Sequence, residues 1–471
     1  MSVLAEKFQE IPELIQIAAE ENAKLSISFR ALGCRLNQSE SGALSGGFDA
    51  AGFRVVTASE PADLCVINTC AVTNQAEAKC RALIRRILKK NPQTFMILTG
   101  CYAQSGVERL KKMPGVDLIA GTNHKMSLPQ LLQGIVDGAS GGTLPLQKRE
   151  NPLVFHNPKI SRSEFTIPNL SVFDHATRPN VKIQDGCDFF CTFCIIPYTR
   201  GRSRSRNFED VILEASIWAA RGHREIVLTG VNLGEYESQG QDLVDLIQAL
   251  EGIEYLQRIR ISSIEPTTVS PALLHLMHSS KKLCSYLHLP LQSGSDAILS
   301  AMDRRYSRQA YMDFVQEAIT SVPNLGLGTD VMVGFPGEDE AGFDETVALI
   351  RALPFSYLHV FPYSRRKGTR VTRGNLVPVH PTVIKQRTKI LCDLSNRLRS
   401  TFYRSSIGKT VSVLFENKNR DGLFTGLTEN YIRVGVETNE DLSGFVKSVQ
   451  IDTENEGLAL GRLLATQVAT K

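Results

Sequence analysis

Nowhere in its 471 residues does the chain hold about eighteen consecutive apolar residues, the length a helix needs to cross a bilayer. Its opening stretch, MSVLAEKFQEIPELIQ, carries acidic residues where a secretory signal has a basic end followed by an apolar segment. A cytoplasmic protein is therefore expected. Repeats at solenoid periods are also missing. Neither sign of charge dominates: 53 Lys and Arg against 49 Asp and Glu leave a net charge of +4, too weak a bias to establish a nucleic-acid partner by itself. The 42% hydrophobic and 22% charged content is close to average usage and excludes a disordered or fibrous chain. The length fits two or three domains with conventional cores.

What the sequence does contain is ten cysteines. A reducing compartment keeps such thiols free, so metal or cluster ligation is the leading explanation for them.

The first segment opens with an expected short helix around residues 11 to 20. It then repeats one pattern three times, an apolar run, a cysteine and a helix-like stretch: SISFRALGC, DLCVINTC and TFMILTGC. Strands alternating with helices imply parallel pairing, so residues 25 to 136 are expected to form a small doubly wound α/β domain. Residues 137 to 179, rich in Gly, Ser and Pro, are the expected linker. Six further strand candidates follow within residues 180 to 400: VKIQDG, EIVLTGVN, RIRISSIE, SYLHLPLQS, LGTDVMVGF and YLHVFPYS. They predict a partial (βα)6 barrel whose loops after the strand carboxyl ends form the site. From about 408 to 468 the runs shorten, with turn signals between them, and predict a small antiparallel β-barrel.

In GCDFFCTFCIIPYTRGR, Cys187, Cys191 and Cys194 follow CxxxCxxC spacing. Three thiolates on one loop can ligate three irons of a 4Fe-4S cluster and leave the fourth open. The amino and carboxylate groups of S-adenosylmethionine can occupy that iron. These cysteines are the expected catalytic centre, and Phe193 is the expected platform for the adenine. A structural zinc site would need a fourth ligand from a second Cys or Cys/His pair, and none lies nearby. Cys34, Cys70 and Cys101 each close a predicted parallel strand. Neighbouring strands bring their carboxyl ends to one edge, so these three are expected to meet as a second cluster site. Cys65, Cys80, Cys284 and Cys392 are read as buried or incidental thiols.

The CxxxCxxC loop resembles the radical S-adenosylmethionine superfamily, and looser motifs extend the likeness. The resemblance places Gly230 in LTGVN near the methionine amino group, and Gln292 and Ser293 in PLQSGSD near the ribose. It places Asp330 and Gly334 of TDVMVG beside the cofactor. The pairing of two three-cysteine sites resembles the methylthiotransferase family over nearly the whole chain, from LGCRLNQSES through NTCAVTNQAEAK, LTGCYAQ and CTFCIIPYTRGRSRSR to a TRAM-like terminal module. RLNQSES and GRSRSR are similar to the bacterial branch that modifies threonylcarbamoyladenosine, at position 37 beside the tRNA anticodon.

The resemblance implies two 4Fe-4S clusters, S-adenosylmethionine as cosubstrate, a tRNA anticodon stem-loop as partner, and a reducing electron donor of flavodoxin or ferredoxin type. It implies that one S-adenosylmethionine methylates a sulfur on the auxiliary cluster. A second is cleaved to a radical that activates C2 of the adenine. Arg200, Arg202, Arg204 and Arg206 alternate with small residues; if extended they share one face, suited to RNA phosphates. The basic stretches DRRYSR and SRRKGTR are candidates for the same rim. Three alternatives stay open: isopentenyladenosine in tRNA as substrate, a ribosomal protein aspartate as substrate, or a noncatalytic iron-sulfur RNA-binding redox sensor.

Overall fold

The computed structural model describes residues 25–137, 148–160, 162–167 and 176–464; the helix expected at 11 to 20 lies outside them. Six parallel strands form the first sheet, in the order β2-β1-β3-β4-β5-β6. They are β1 Ser26–Ala31, β2 Arg54–Val56, β3 Leu64–Thr69, β4 Phe95–Gly100, β5 Leu118–Ala120 and β6 Leu153–Phe155. β3 and β4 are buried along their whole length, as strands covered on both faces must be. Helix α1, Arg35–Ala50, packs Leu44 and Phe48 into one core layer with Val66 and Ile97. Helix α2, Asn74–Lys90, packs Cys80 and Ile84 into another with Cys65 and Ile67. Thr73 caps α2 by accepting from the Ala76 amide, and Lys89 and Lys90 occupy its last turn, each favourable for the helix dipole and its unpaired amides.

β6 corrects the expectation of a plain linker over 137 to 179. Leu153, Val154 and Phe155 pair in parallel with β5, and Lys148 reaches the buried Asp117 at 2.6 Å. Three apolar residues are too short a run to stand out among the neighbouring Asn and Pro.

All six central strands form: β7 Asn180–Lys182, β8 Glu225–Thr229, β9 Arg258–Ile261, β10 Tyr286–His288, β11 Gly326–Val333 and β12 Tyr357–Pro362. Every pairing among them is parallel. Bridges Ile259 to Leu283 and Ser263 to His288 join the two triplets into one curved sheet. Its outer face shares a large core with the surrounding helices. On β9, Ile259 and Ile261 enter that core, while Arg258 and Arg260 turn to the opposite face.

A 24-residue helix, Pro381–Arg404, leads to a closed barrel of five strands between Thr410 and Leu463. Four of its pairings are antiparallel, and one, between Arg433–Val436 and Leu458–Leu463, is parallel. Arg258 donates to the Leu427 carbonyl at 2.9 Å and Arg260 to the Glu429 carbonyl at 2.8 Å, so the terminal barrel seats on the central one. No helix among the described residues is long and apolar enough to cross a membrane.

Candidate functional site

Strand register explains how distant cysteines meet. β1, β3 and β4 are neighbours, and Thr69 pairs with Gly100, so Cys70 and Cys101 leave adjacent strands side by side. Cys34 begins α1 at the end of β1. Gly33 and Gly100 precede two of the three cysteines with φ of 96° and 93°. A side chain at Gly33 would meet the Cys70 sulfur at 2.7 Å, so only glycine lets the two turns approach. Besides burial, the neighbouring Cys101 and Cys34 raise the Cys70 thiol, and Cys194 and Cys191 raise that of Cys187. Among the described residues no three such side chains close tightly enough to hold one bare metal ion. Three thiolates that each take a separate iron do not have to.

Burial pushes the Cys70 and Cys194 thiols up to about 12 and also raises Cys187. Burial also raises Cys191, against the pull of Arg304, whose guanidinium lies 3.2 Å from its sulfur. Cys34 is exposed, but into a cavity whose walls desolvate it and raise it as well. At neutral pH these groups are thiols, so iron loading must release protons. Of the remaining cysteines, Cys65, Cys80 and Cys284 are buried and Cys392 is exposed.

The cavity holds about 630 Å³ and draws on all three parts of the chain. The first sheet contributes Gly33, Cys34 and Arg35. The central strands contribute Gly230, Ser262, Tyr286, His288, Asp330, Tyr357 and His359, and the terminal barrel contributes Tyr431. Tyr431 stacks on Tyr286 at 4.5 Å and receives a hydrogen bond from Arg35. Burial pushes its phenol up, but the guanidinium groups of Arg35, Arg178 and Arg260 bring it below its ordinary value. Asp330 lies 3.1 Å from His288 and 2.9 Å from His359. The hydrogen bond to Asp330 raises the His359 ring above its usual range, against the effect of burial. Asp330→Asn should lower the His359 midpoint in an NMR titration, because the neutral amide stabilises the imidazolium less than the carboxylate does.

Of the residues expected around S-adenosylmethionine, Gly230 and Asp330 line this cavity; Phe193, Gln292, Ser293 and Gly334 lie outside its lining. A side chain at Gly230 would meet Gln184 at 2.9 Å and Leu233 at 2.7 Å. Gln292 is held at φ 68° between the Asp330 carbonyl and the Met332 amide. Its Oε1 is buried without a partner, as is Ser262 Oγ on the cavity wall. Ser293 lies 3.3 Å from Thr346 Oγ1, Gly334 donates to Glu338 at 2.6 Å, and the Phe193 ring packs edge-on against Phe335. Unpartnered acceptors and a backbone cradle fit a polar, nucleoside-sized ligand.

The arginine series is corrected. Residues Ile196–Arg200 form a short helix and Gly201 reverses the chain, so the four side chains do not share a face. Arg200 is 1% exposed and pairs with Glu40 at 2.9 Å and Asp185 at 2.8 Å. Arg206 is fully buried against Asp210 and Glu214, and Arg204 pairs with Asp185 at 3.0 Å. Arg202 alone remains on the surface, 3.2 Å from Asp188 and 4.2 Å over the Phe190 ring. In the other basic stretches, Arg304 is buried on Glu265 and Arg366 is buried on Glu77 of α2. The sequence analysis did not single out Arg35 or Arg304 as site residues. Arg35 opens the RLNQSES run after Cys34, and Arg304 lies in the DRRYSR stretch expected on the RNA rim.

Residues 26–121 match the family described as "Uncharacterized protein family UPF0004", and residues 181–350 match the radical SAM superfamily. The chain is 36% identical to a threonylcarbamoyladenosine tRNA methylthiotransferase, MtaB, of Aquifex aeolicus, over 90% of this chain and 99% of that protein. It is 32% identical to a tRNA-2-methylthio-N(6)-dimethylallyladenosine synthase of Lachnoclostridium phytofermentans, over 93% and 95%. Among solved structures it resembles the radical S-adenosylmethionine methyltransferase TsrM of Kitasatospora setae, with a TM-score of 0.53, 13% identity, and 72% and 75% of the two chains covered. That likeness concerns the fold.

Proposed function

The chain belongs to the radical S-adenosylmethionine methylthiotransferases, and from that premise we propose that it converts threonylcarbamoyladenosine in tRNA to its 2-methylthio derivative. The observation that carries the choice of substrate is identity: 36% and 35% to the MtaB relatives, against 32% to the dimethylallyladenosine synthase at similar cover. The cavity wall agrees with it: a threonylcarbamoyl group is polar and acidic, and Arg35, Tyr286, Tyr357, Tyr431, His288 and His359 line it, whereas an isopentenyl group calls for an apolar wall.

Cys187, Cys191 and Cys194 are the proposed holders of the cluster that binds S-adenosylmethionine, and Cys34, Cys70 and Cys101 of the auxiliary one. When bound, the two clusters and S-adenosylmethionine supply reductive carbon-sulfur cleavage and the sulfur to be transferred. Cys34 opens into the cavity from one side, and Gly230 and Asp330, which the resemblance puts beside S-adenosylmethionine, line it from the other. By the resemblance, Gly230 would support the methionine amino group, and Gln292 and Ser293 would lie near the ribose. An unactivated ring C–H has no acidity for a general base to exploit, so no side chain is assigned that role. The tRNA is taken to enter through its anticodon stem-loop, and a flavodoxin- or ferredoxin-like protein is taken to supply electrons.

Mass spectrometry of tRNA nucleosides from cells lacking the protein tests the substrate. The 2-methylthio derivative should vanish and threonylcarbamoyladenosine accumulate; its persistence together with loss of methylthiolated isopentenyladenosine would reject the assignment.

A further inference from the structure

We propose that Arg35 reads the carboxylate of the substrate's threonylcarbamoyl group, an inference that rests on the substrate assignment above. Arg35 is the only lysine or arginine that lines the cavity among the described residues. It donates to the Tyr431 hydroxyl and has no carboxylate partner within 4.0 Å among the described residues. Asp330, the one acid on the wall, is already engaged by His288 and His359. The cavity therefore holds a permanent cation without a counter-ion, and a half-enclosed guanidinium is completed by an anion.

Its geometry is fixed from three directions. Arg35 opens α1 directly after Cys34, Tyr431 comes from the terminal barrel, and Tyr286, stacked under Tyr431, comes from β10. Tyr286 in turn bonds Tyr357 at 2.6 Å, and Tyr357 lies 3.2 Å from His288. A planar fork held this way suits a carboxylate, which accepts two parallel N–H bonds, and the hydroxyls beside it suit the threonine alcohol and the urea. An isopentenyl group offers none of these acceptors and would leave Arg35 unpaired. Because Arg35 follows Cys34, a substrate anchored on it brings its adenine close to the auxiliary site.

The test uses the reconstituted full-length enzyme and two anticodon stem-loop RNAs, one with threonylcarbamoyladenosine and one with its carboxamide analogue. Wild type should prefer the acid in kcat/KM by roughly 10- to 150-fold, the range of a hydrogen bond to a charged group. Arg35→Gln should lose that factor on the acid, leave the amide unchanged and bring the ratio to about one. Arg35→Lys should keep part of the preference. Iron content, and deoxyadenosine release from S-adenosylmethionine in the absence of RNA, should match wild type in both variants.

Equal losses on acid and amide would assign Arg35 to RNA phosphate or to the fold and overturn the proposal. So would a fall in iron or in deoxyadenosine release, which would make the residue a support of Cys34 or of S-adenosylmethionine. A wild type that acts equally on both RNAs overturns the carboxylate reading and leaves the substrate assignment standing. A wild type that ignores both but modifies isopentenyladenosine RNA overturns the two together.

Discussion

Glu40→Gln should destabilise the protein by about 3–5 kcal/mol, the cost of removing one partner from a buried ion network, and lower the thermal midpoint accordingly. Glu40, on α1, is 1% exposed and touches Lys125 of its own domain, Lys182 of β7 at 2.7 Å and Arg200 at 2.9 Å. Asp185 is the only other carboxylate in this group, against the four cations Lys125, Lys182, Arg200 and Arg204. Positive charge is already in excess, so the amide leaves Lys125 without a carboxylate partner and Lys182 and Arg200 with Asp185 alone. Arg202→Gln, two residues after Arg200, removes an exposed pair with Asp188 and should cost about 0–1 kcal/mol.

The pH dependence has a definite sign. Burial pushes the Glu40 carboxyl up, but Arg200, Lys125 and Lys182 outweigh it and hold the group well below its ordinary value. Its contribution is therefore present above the usual glutamate range and is lost only as pH falls through the depressed native value. The gap in thermal midpoint between wild type and Glu40→Gln should hold from pH 8 to pH 5. A gap that closed above pH 5 would contradict the ion network.

The contrast between Arg200 and Arg202 marks what was legible in the sequence. Strands declare themselves locally: apolar runs such as DLCVINTC and LGTDVMVGF fold as strands because burial on both faces needs nothing but a neighbour. Cysteine placement followed from the same rule, since the ends of β1, β3 and β4 must share an edge. Arginines carry no such local mark. Whether Arg200 meets RNA or Glu40 depends on a carboxylate 160 positions away, and Arg260 is buried because a turn near residue 429 supplies carbonyls to it. An alternating basic run specifies a face only if the backbone is extended, and here Ile196–Arg200 is helical. The RIRI run of β9 did hold a readable clue: alternation of Arg with Ile requires a polar inner face, although its partners on the terminal barrel were beyond local reasoning.

The cysteine assignment makes the other large prediction. A Cys187→Ala, Cys191→Ala, Cys194→Ala variant, reconstituted without oxygen, should keep about half the wild-type iron, because each triplet is assigned one cluster. It should release no deoxyadenosine from S-adenosylmethionine on reduction. The Cys34→Ala, Cys70→Ala, Cys101→Ala variant should also keep about half the iron, yet still release deoxyadenosine while forming no methylthio product. Both folds should survive: in the metal-free protein the thiols are neutral small groups at strand ends and loops, and alanine removes no buried charge. The two variants thus separate cofactor cleavage from sulfur transfer. Full retention or full loss of iron in either variant would reject the two-site arrangement. Deoxyadenosine release that failed equally in both would show that the auxiliary site supports the first reaction as well. A noncatalytic sensor predicts no deoxyadenosine from the wild type at all, so the same assay separates enzyme from sensor before any variant is made.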